Sequence, residues 1–234
     1  MTTSPLILAA GVGKRMRSAL PKVLHRICGR PMIRYVLAAV EAAGLARPIV
    51  VVGRGSEAVR AEVGEIATFV EQAEQRGTAH AVMVGLEALP QAETVLVLYG
   101  DVPLLTAQTL RRMIAHHQTA RPGVTLLTAQ VTDASGLGRI VRGPGGAVAR
   151  IVEEADASEE ERLIREINAG TYVFEGPLLR EGLRHVQPSN AQGEYYLTDV
   201  VAWALREGRV DALPVEDPDE VLGVNSRREL ARAV

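Results

Sequence analysis

The sequence predicts an α/β fold: a mostly parallel sheet covered by helices on both faces, followed by a smaller lobe of mixed α+β structure. Three observations lead there. Short continuous apolar runs at residues 5–10, 49–52, 68–70 and 95–99 read as strands buried on both sides. Amphipathic stretches of helical period at 31–43, 56–63, 78–89 and 107–119 alternate with them, which is the punctuation of consecutive β–α–β units. The chain has 234 residues and 47% hydrophobic content, enough for a substantial core.

The first strand leads into Leu8-Ala-Ala-Gly-Val-Gly-Lys-Arg-Met16, closely followed by Leu20-Pro-Lys-Val-Leu24. Gly11 and Gly13 permit tight turns and close approach of the backbone to an anion, so main-chain N–H groups can face phosphate. Lys14, Arg15 and Lys22 put three cations around that loop, which suits a triphosphate. The loop matches neither G-x-x-x-x-G-K-[ST] nor G-x-G-x-x-G, because Met16 stands at the third glycine position and no Ser or Thr follows Lys14.

In a parallel sheet, ligands bind beyond the carboxyl ends of the strands. After the strand at 68–70 comes Gln72-Ala-Glu-Gln75-Arg-Gly77-Thr78-Ala-His80, where Gly77 and Thr78 can cap the next helix and the Gln72 amide can read the edge of a flat base. His80 reads as a structural helix residue, since no second His or Cys stands at ligand spacing. The strand at 95–99 ends in Tyr99-Gly100-Asp101-Val102-Pro103. A single carboxylate there is enough to anchor Mg²⁺ when substrate phosphates supply the other oxygens; a turn or helix-capping role is its local alternative.

From residue 124 the elements shorten. A β-run at 124–131 precedes a hairpin of 139–142 and 147–152 turning at Gly143-Pro-Gly-Gly146, a Glu-rich solvated helix at 158–164, a strand at 166–174 and a helix at 177–185. A helix at 198–206 with Thr198 at its N-cap, a last strand at 210–214 and a terminal helix at 227–234 complete the chain. Gly136-Leu-Gly138-Arg139, Glu153 and Glu166-Ile-Asn168-Ala-Gly170 combine small residues, an acid and a carboxamide, which suit hydroxyls and an acetamide. Asn225 offers a neutral oxygen that could complete a Mg²⁺ site with Asp101, with capping of the last helix as its alternative.

A net charge of −2 with no basic stripe beyond Lys14, Arg15, Arg17 and Lys22 speaks against a nucleic-acid partner. The single cysteine, Cys28, cannot form an internal disulfide and reads as a buried or half-buried thiol in a reducing compartment. With no membrane-length apolar run and no signal-peptide architecture, the expected location is cytoplasmic, away from any membrane.

Taken in order, LAAGVGKRM, LPKVLH, QAEQRGTAHA, LYGDVPL, GLGRIV, IVEE, EINAG, NAQGEYYLTD and GVNSR resemble the uridylyltransferase domain of bacterial N-acetylglucosamine-1-phosphate uridylyltransferases over nearly the whole chain. The resemblance implies a Rossmann-like, GT-A-like nucleotidyltransferase domain, with a nucleotide-binding half over about residues 1–120 and a sugar-binding half over about 121–225. It assigns Leu8, Ala9, Ala10, Gly11, Lys22, Gln72, Gly77 and Thr78 to UTP. Tyr99, Gly100, Gly138, Glu153, Asn168 and Asn225 go to the N-acetylglucosamine phosphate, Asp101 and Asn225 to Mg²⁺, and Arg15, Lys22 and Asp101 to catalysis. Two positions depart from the family's pattern: Lys14 stands where Thr is frequent, and Leu137 where Tyr is common.

Family members usually continue into a β-helix of hexapeptide repeats that acetylates glucosamine-1-phosphate and forms trimers. No such repeats occur in these residues, so a monomer or weak dimer is expected. The implied reaction is Mg²⁺-dependent transfer of UMP from UTP to N-acetylglucosamine-1-phosphate for cell-wall precursor synthesis. Its rivals are a nucleotidyltransferase for another sugar phosphate or base, a non-catalytic nucleotide-sugar sensor, and a glycosyltransferase of related topology, which would normally want an Asp-x-Asp metal motif, none of which stands at a strand end here.

Overall fold

The computed structural model describes residues 2–234. Its elements run β1 (Thr3–Ala9), β2 (Arg26–Ile27), β3 (Arg30–Pro31), α1 (Met32–Ala42), β4 (Ile49–Gly53), α2 (Glu57–Val63), β5 (Thr68–Gln72), α3 (Thr78–Leu86), β6 (Thr94–Tyr99) and α4 (Ala107–Ala120). They continue with β7 (Val124–Gln130), β8 (Arg139–Arg142), β9 (Val148–Val152), α5 (Glu159–Arg162), β10 (Glu166–Glu175), α6 (Gly176–Arg184), α7 (Leu197–Arg206), β11 (Val210–Pro214) and α8 (Arg227–Arg232).

The main sheet has the order β11-β7-β10-β6-β1-β4-β5. β6, β1, β4 and β5 are mutually parallel, as are β7 and β11, while β10 alone runs antiparallel between β6 and β7. The strands lack polar alternation because both faces are covered. Ile7, Val50, Val52, Leu96 and Leu98 pack under α1, α2 and α4, and Leu6, Leu8, Val51, Val95 and Val97 pack under α3, α6 and α7. Successive side chains thus enter opposite cores, and each fully buried Val or Leu contributes about 1.5–3 kcal/mol. No helix among the described residues is long and apolar enough to cross a membrane.

The sheet's register lines up the functional loops. Leu8 pairs with Tyr99, Ala9 with Val52, and Gly53 with Gln72, so β1, β4, β5 and β6 end at one edge. β10 runs the other way, so its N-terminal half, with Asn168, reaches that same edge. There the β8–β9 hairpin extends the sheet through Ile167 paired with Arg139. This hairpin, with α5 and the segment before α7, forms the expected mixed lobe on one continuous sheet.

Two local expectations are corrected. Cys28 is exposed, because it sits in the tight turn between β2 and β3 at φ 46°, followed by Gly29 at φ 83°. Thr198 is not a helix cap: α7 begins at Leu197, whose N–H donates to Thr78 Oγ1 at 2.9 Å, and the Thr198 hydroxyl donates to Glu153 Oε1 at 3.1 Å.

Candidate active site

Two adjoining cavities open at the carboxyl edge. The first, of about 400 Å³, is walled by Leu8, Ala9, Ala10, Gly11 and Lys22 from the first loop, Gln72, Gly77 and Thr78 from the second, Tyr99 and Asp101 from the third, and Asn168 and Asn225. The second, of about 310 Å³, is walled by Gly138, Glu153, Tyr172 and Thr198. Thr78, Tyr99, Asn168, Gly170 and Glu194 belong to both walls, so a ligand in one cavity can touch a ligand in the other.

The first loop turns through Gly13 at φ 65° into a single 3₁₀ turn, Lys14–Met16. A second 3₁₀ turn, Lys22–Leu24, brings Lys22 back across the loop, and a side chain at Gly13 would collide with Lys22 Cβ. The Lys22 ammonium donates to the Asp101 carboxylate and, at 2.9 Å, to Asn225 Oδ1. Three residues far apart in sequence therefore converge on one point, with the Lys22 and Asp101 side chains 13% and 11% exposed.

The helix-capping alternative for each of the two oxygen donors is removed. Thr106 caps α4, accepting from Thr109 N–H, so Asp101 has no capping duty. Ser226 caps α8, its Oγ accepting from Glu229 N–H at 3.3 Å, which leaves Asn225 free to face the cavity. A carboxylate and a carboxamide oxygen on one cation match the sparse, hard donor set that Mg²⁺ accepts when phosphates complete its shell. No cluster of three or more His, Cys, Asp or Glu suited to a metal occurs among the described residues.

In the second loop Gln72 is buried, and its Nε2 lies 3.3 Å from the Gly77 carbonyl and 2.9 Å from His80 Nδ1. Its amide donors are spent inside the fold, so only its oxygen remains for a ligand, a narrower role than the two donors and an acceptor the sequence suggests. Gly77 adopts φ 109°, and a Cβ there would meet the backbone of Tyr195. Tyr195 N–H donates to Arg76 O at 2.8 Å and Tyr195 O accepts from Ala79 N–H at 2.9 Å, so the segment before α7 is laced to the second loop.

The second cavity is electrostatically distinct. Burial lifts the Glu153 carboxyl above the usual range, with Asp156 and Asp199 adding to it and the Thr198 hydroxyl opposing. Burial likewise raises the Tyr99 phenol, helped by Glu153, so it stays protonated as a donor. Asn168 Oδ1 accepts from Gly170 N–H at 3.2 Å and its Nδ2 donates to the Tyr172 hydroxyl, which fixes the carboxamide across the β10 irregularity between Asn168 and Tyr172. Arg139, 2% exposed, donates to Leu137 O and, at 2.6 Å, to Glu154 Oε2, which also accepts from Gly136 N–H; the Gly136–Gly138 rim is thereby stiffened.

Two expected residues stand outside the walls. Arg15 is exposed on the Lys14–Met16 turn. Gly100 is buried, and its missing side chain leaves room for Val23 and Ala9, so its place is one of packing. Sequence reasoning gave no role to Gln75 and Glu194, both in the first wall. Gln75 donates to the Ala10 carbonyl and ties the first two loops; its place three residues after Gln72, past the same strand end, was the available signal.

A solved UDP-glucose pyrophosphorylase complexed with UDP-glucose superposes with a TM-score of 0.80 at 21% identity, covering 100% of this chain and 97% of that one, a likeness of fold. Over 233 residues the chain is 52% identical to the bifunctional protein GlmU of Pelotomaculum thermopropionicum, covering 99% of this chain and 51% of that protein. Over 230 residues it is 50% identical to the bifunctional protein GlmU of Heliobacterium modesticaldum, covering 97% and 50%. The chain thus spans about half the length of the curated relatives it matches. Residues 5–168, carrying the first loop, the second loop, Asp101 and Asn168, match the family described as MobA-like NTP transferase domain, and the chain belongs to that family.

Proposed function

We propose that this chain transfers UMP from UTP to N-acetylglucosamine-1-phosphate, releasing pyrophosphate and forming UDP-N-acetylglucosamine. The observation that carries the reading is the meeting of Lys22, Asp101 and Asn225 at the junction of two cavities, one rimmed by a glycine loop and the other by Glu153, Asn168 and Gly138. The ordered motifs that resemble the uridylyltransferase family, and relatives about half identical along the chain, support the choice of base and sugar.

The nucleotide occupies the first cavity, its phosphates along Leu8–Gly11 and its base against Gln72, Gly77 and Thr78. The sugar phosphate lies in the second, with hydroxyl and acetamide partners on Glu153, Asn168, Tyr99 and the Gly138 backbone. A phosphate oxygen of the sugar bonds to the α-phosphorus as the bond to the bridging oxygen breaks, and the electron pair leaves with pyrophosphate. No protein nucleophile is needed; the chain's task is positioning and charge stabilisation. Lys22 neutralises the α-phosphate and the departing pyrophosphate, and Arg15 adds positive charge on the solvent side of the loop. Asp101 and Asn225 would hold Mg²⁺, which when bound offsets phosphate charge.

The test is pyrophosphate release from UTP plus N-acetylglucosamine-1-phosphate with Mg²⁺ or EDTA, beside ATP, CTP, GTP, dTTP and glucose-1-phosphate. Release confined to the first pair, and abolished by EDTA, is the expected result. Turnover only with another pair moves the substrate, and bound UTP without turnover turns the chain into a sensor; either overturns the proposal.

A further inference from the structure

Gln72 ends β5 and is 3% exposed in the wall of the first cavity. Its Nε2 has two neighbours, the Gly77 carbonyl at 3.3 Å and His80 Nδ1 at 2.9 Å. A main-chain carbonyl can only accept, so the nitrogen end of the amide must face it, and the second amide hydrogen then goes to His80. Nδ1 must therefore be the accepting ring nitrogen, with the imidazole proton on Nε2. Both hydrogens are committed, and Oε1, an acceptor, is the atom left for a ligand. His80 lies in the first turn of α3, its ring 6.5 Å from that of Tyr195, so the segment before α7 backs it.

We propose that His80 is a positioning residue that holds the Gln72 amide with its oxygen toward the nucleotide, so that the site selects a base carrying an N–H on its pairing edge over one with a bare ring nitrogen there. The inference rests on the reading of the first cavity as the nucleotide site. Uracil N3 carries a hydrogen that Oε1 can accept. Cytosine N3 carries a lone pair, and it would meet the lone pair of Oε1. Without the acceptor at Nδ1, one amide hydrogen loses its partner. Only the Gly77 carbonyl, at 3.3 Å, then holds the nitrogen end, so turning the amide over to present Nε2, which suits cytosine, costs one hydrogen bond fewer than in the wild type. A site built around such a contact discriminates strongly, but His80 controls only the amide's orientation, so removing it relaxes selectivity by roughly tenfold.

His80→Phe keeps a ring but offers no acceptor, whereas His80→Asn can put an amide oxygen near the place of Nδ1. The measurements are affinities for UTP and CTP without sugar phosphate, kcat/KM for both, KM for the sugar phosphate, and thermal unfolding. The UTP-to-CTP ratio falls about tenfold in His80→Phe, mainly through weaker UTP binding, with the sugar-phosphate KM unchanged, and His80→Asn restores most of it. Damage to the fold alone would weaken both nucleotides alike and leave the ratio intact. An unchanged ratio in folded His80→Phe, from a wild type that prefers UTP, overturns the role of His80. A wild type that binds UTP and CTP equally overturns the base-reading role of Gln72, and this proposal with it. Because the affinities need no turnover, failure of the transfer reaction shows separately. Should His80→Phe not fold, His80→Leu replaces it under the same criteria.

Discussion

Lys22→Ala separates the structural part of the cluster from the catalytic part proposed for it. The ammonium contacts Asp101 and lies 2.9 Å from Asn225 Oδ1, with the lysine and aspartate side chains 13% and 11% exposed. Removing one partner of a fully buried pair costs about 3–5 kcal/mol, and of an exposed pair at most about 1. This pair borders an open cavity where water can reach the orphaned carboxylate, which points to about 2 kcal/mol. For a chain of this length that corresponds to a fall of about 4–8 °C in unfolding temperature. Turnover falls by at least about 10²-fold, or about 2.7 kcal/mol of barrier, the scale of losing one transition-state donor. Adding Asp101→Asn to Lys22→Ala removes the unpaired charge and recovers most of the stability while turnover stays low. Without nucleotide, Mg²⁺ raises the unfolding temperature of Lys22→Ala more than that of the wild type, because Asp101 and Asn225 are no longer taken. Differential scanning fluorimetry and pyrophosphate release at saturating substrates decide the matter. A Lys22→Ala protein with wild-type unfolding temperature and near-normal turnover would refute the reasoning.

Glu153 gives a pH signature. Its carboxyl is raised by burial, so the folded chain holds a proton that the unfolded chain has released between the ordinary glutamate value, about 4.3, and the raised one. Its contribution to stability therefore falls as pH rises through that window. Glu153→Gln unfolds close to the wild type at the acid end and at a higher relative temperature above it; a wild type that gains on the variant with rising pH contradicts the assignment. Gly77→Ala forces a side chain into φ 109° and against the Tyr195 backbone, costing about 2–3 kcal/mol. Because the second loop and the segment before α7 are hydrogen-bonded to each other, KM rises for both nucleotide and sugar phosphate; an effect on nucleotide alone would show that the backbone lacing does not couple them.

The parallel strands were legible because burial on both faces leaves uninterrupted Val, Ile and Leu, as in Ile49–Gly53 and Thr94–Tyr99, and the amphipathic pattern marked α1 and α4. The β2–β3 hairpin was not legible: its strands are two residues each, and its turn depends on Cys28 adopting a conformation that side chains usually avoid. The ends of β1, β5 and β6 pointed to the loops that meet, and Lys22, Asp101 and Asn225 do converge. What sequence could not show is which hydrogen bonds the fold already spends. Gln72 uses its donors internally, Asn168 is held by Gly170 and Tyr172, and Ser226 rather than Asn225 takes the cap. Gly100 and Arg15 show the other limit: a motif places residues near the cavities but does not distinguish those that line the walls from Gly100, which packs behind them, or Arg15, which stands exposed on the loop.

The insertion of β10 between β6 and β7 bears on the order in which the chain is made. β6 leaves the ribosome with residue 99, but the neighbour that covers its open side is complete only at residue 175. At roughly 5–20 residues per second the nascent chain carries an uncovered apolar strand edge for several seconds, a target for chaperones and for misplaced pairing. The strand that ends this exposure also delivers Asn168 to the junction of the two cavities. Covering that edge and bringing Asn168 to the cavities are therefore one event, whereas Glu194, Thr198 and Asn225 join the walls only as later residues are made.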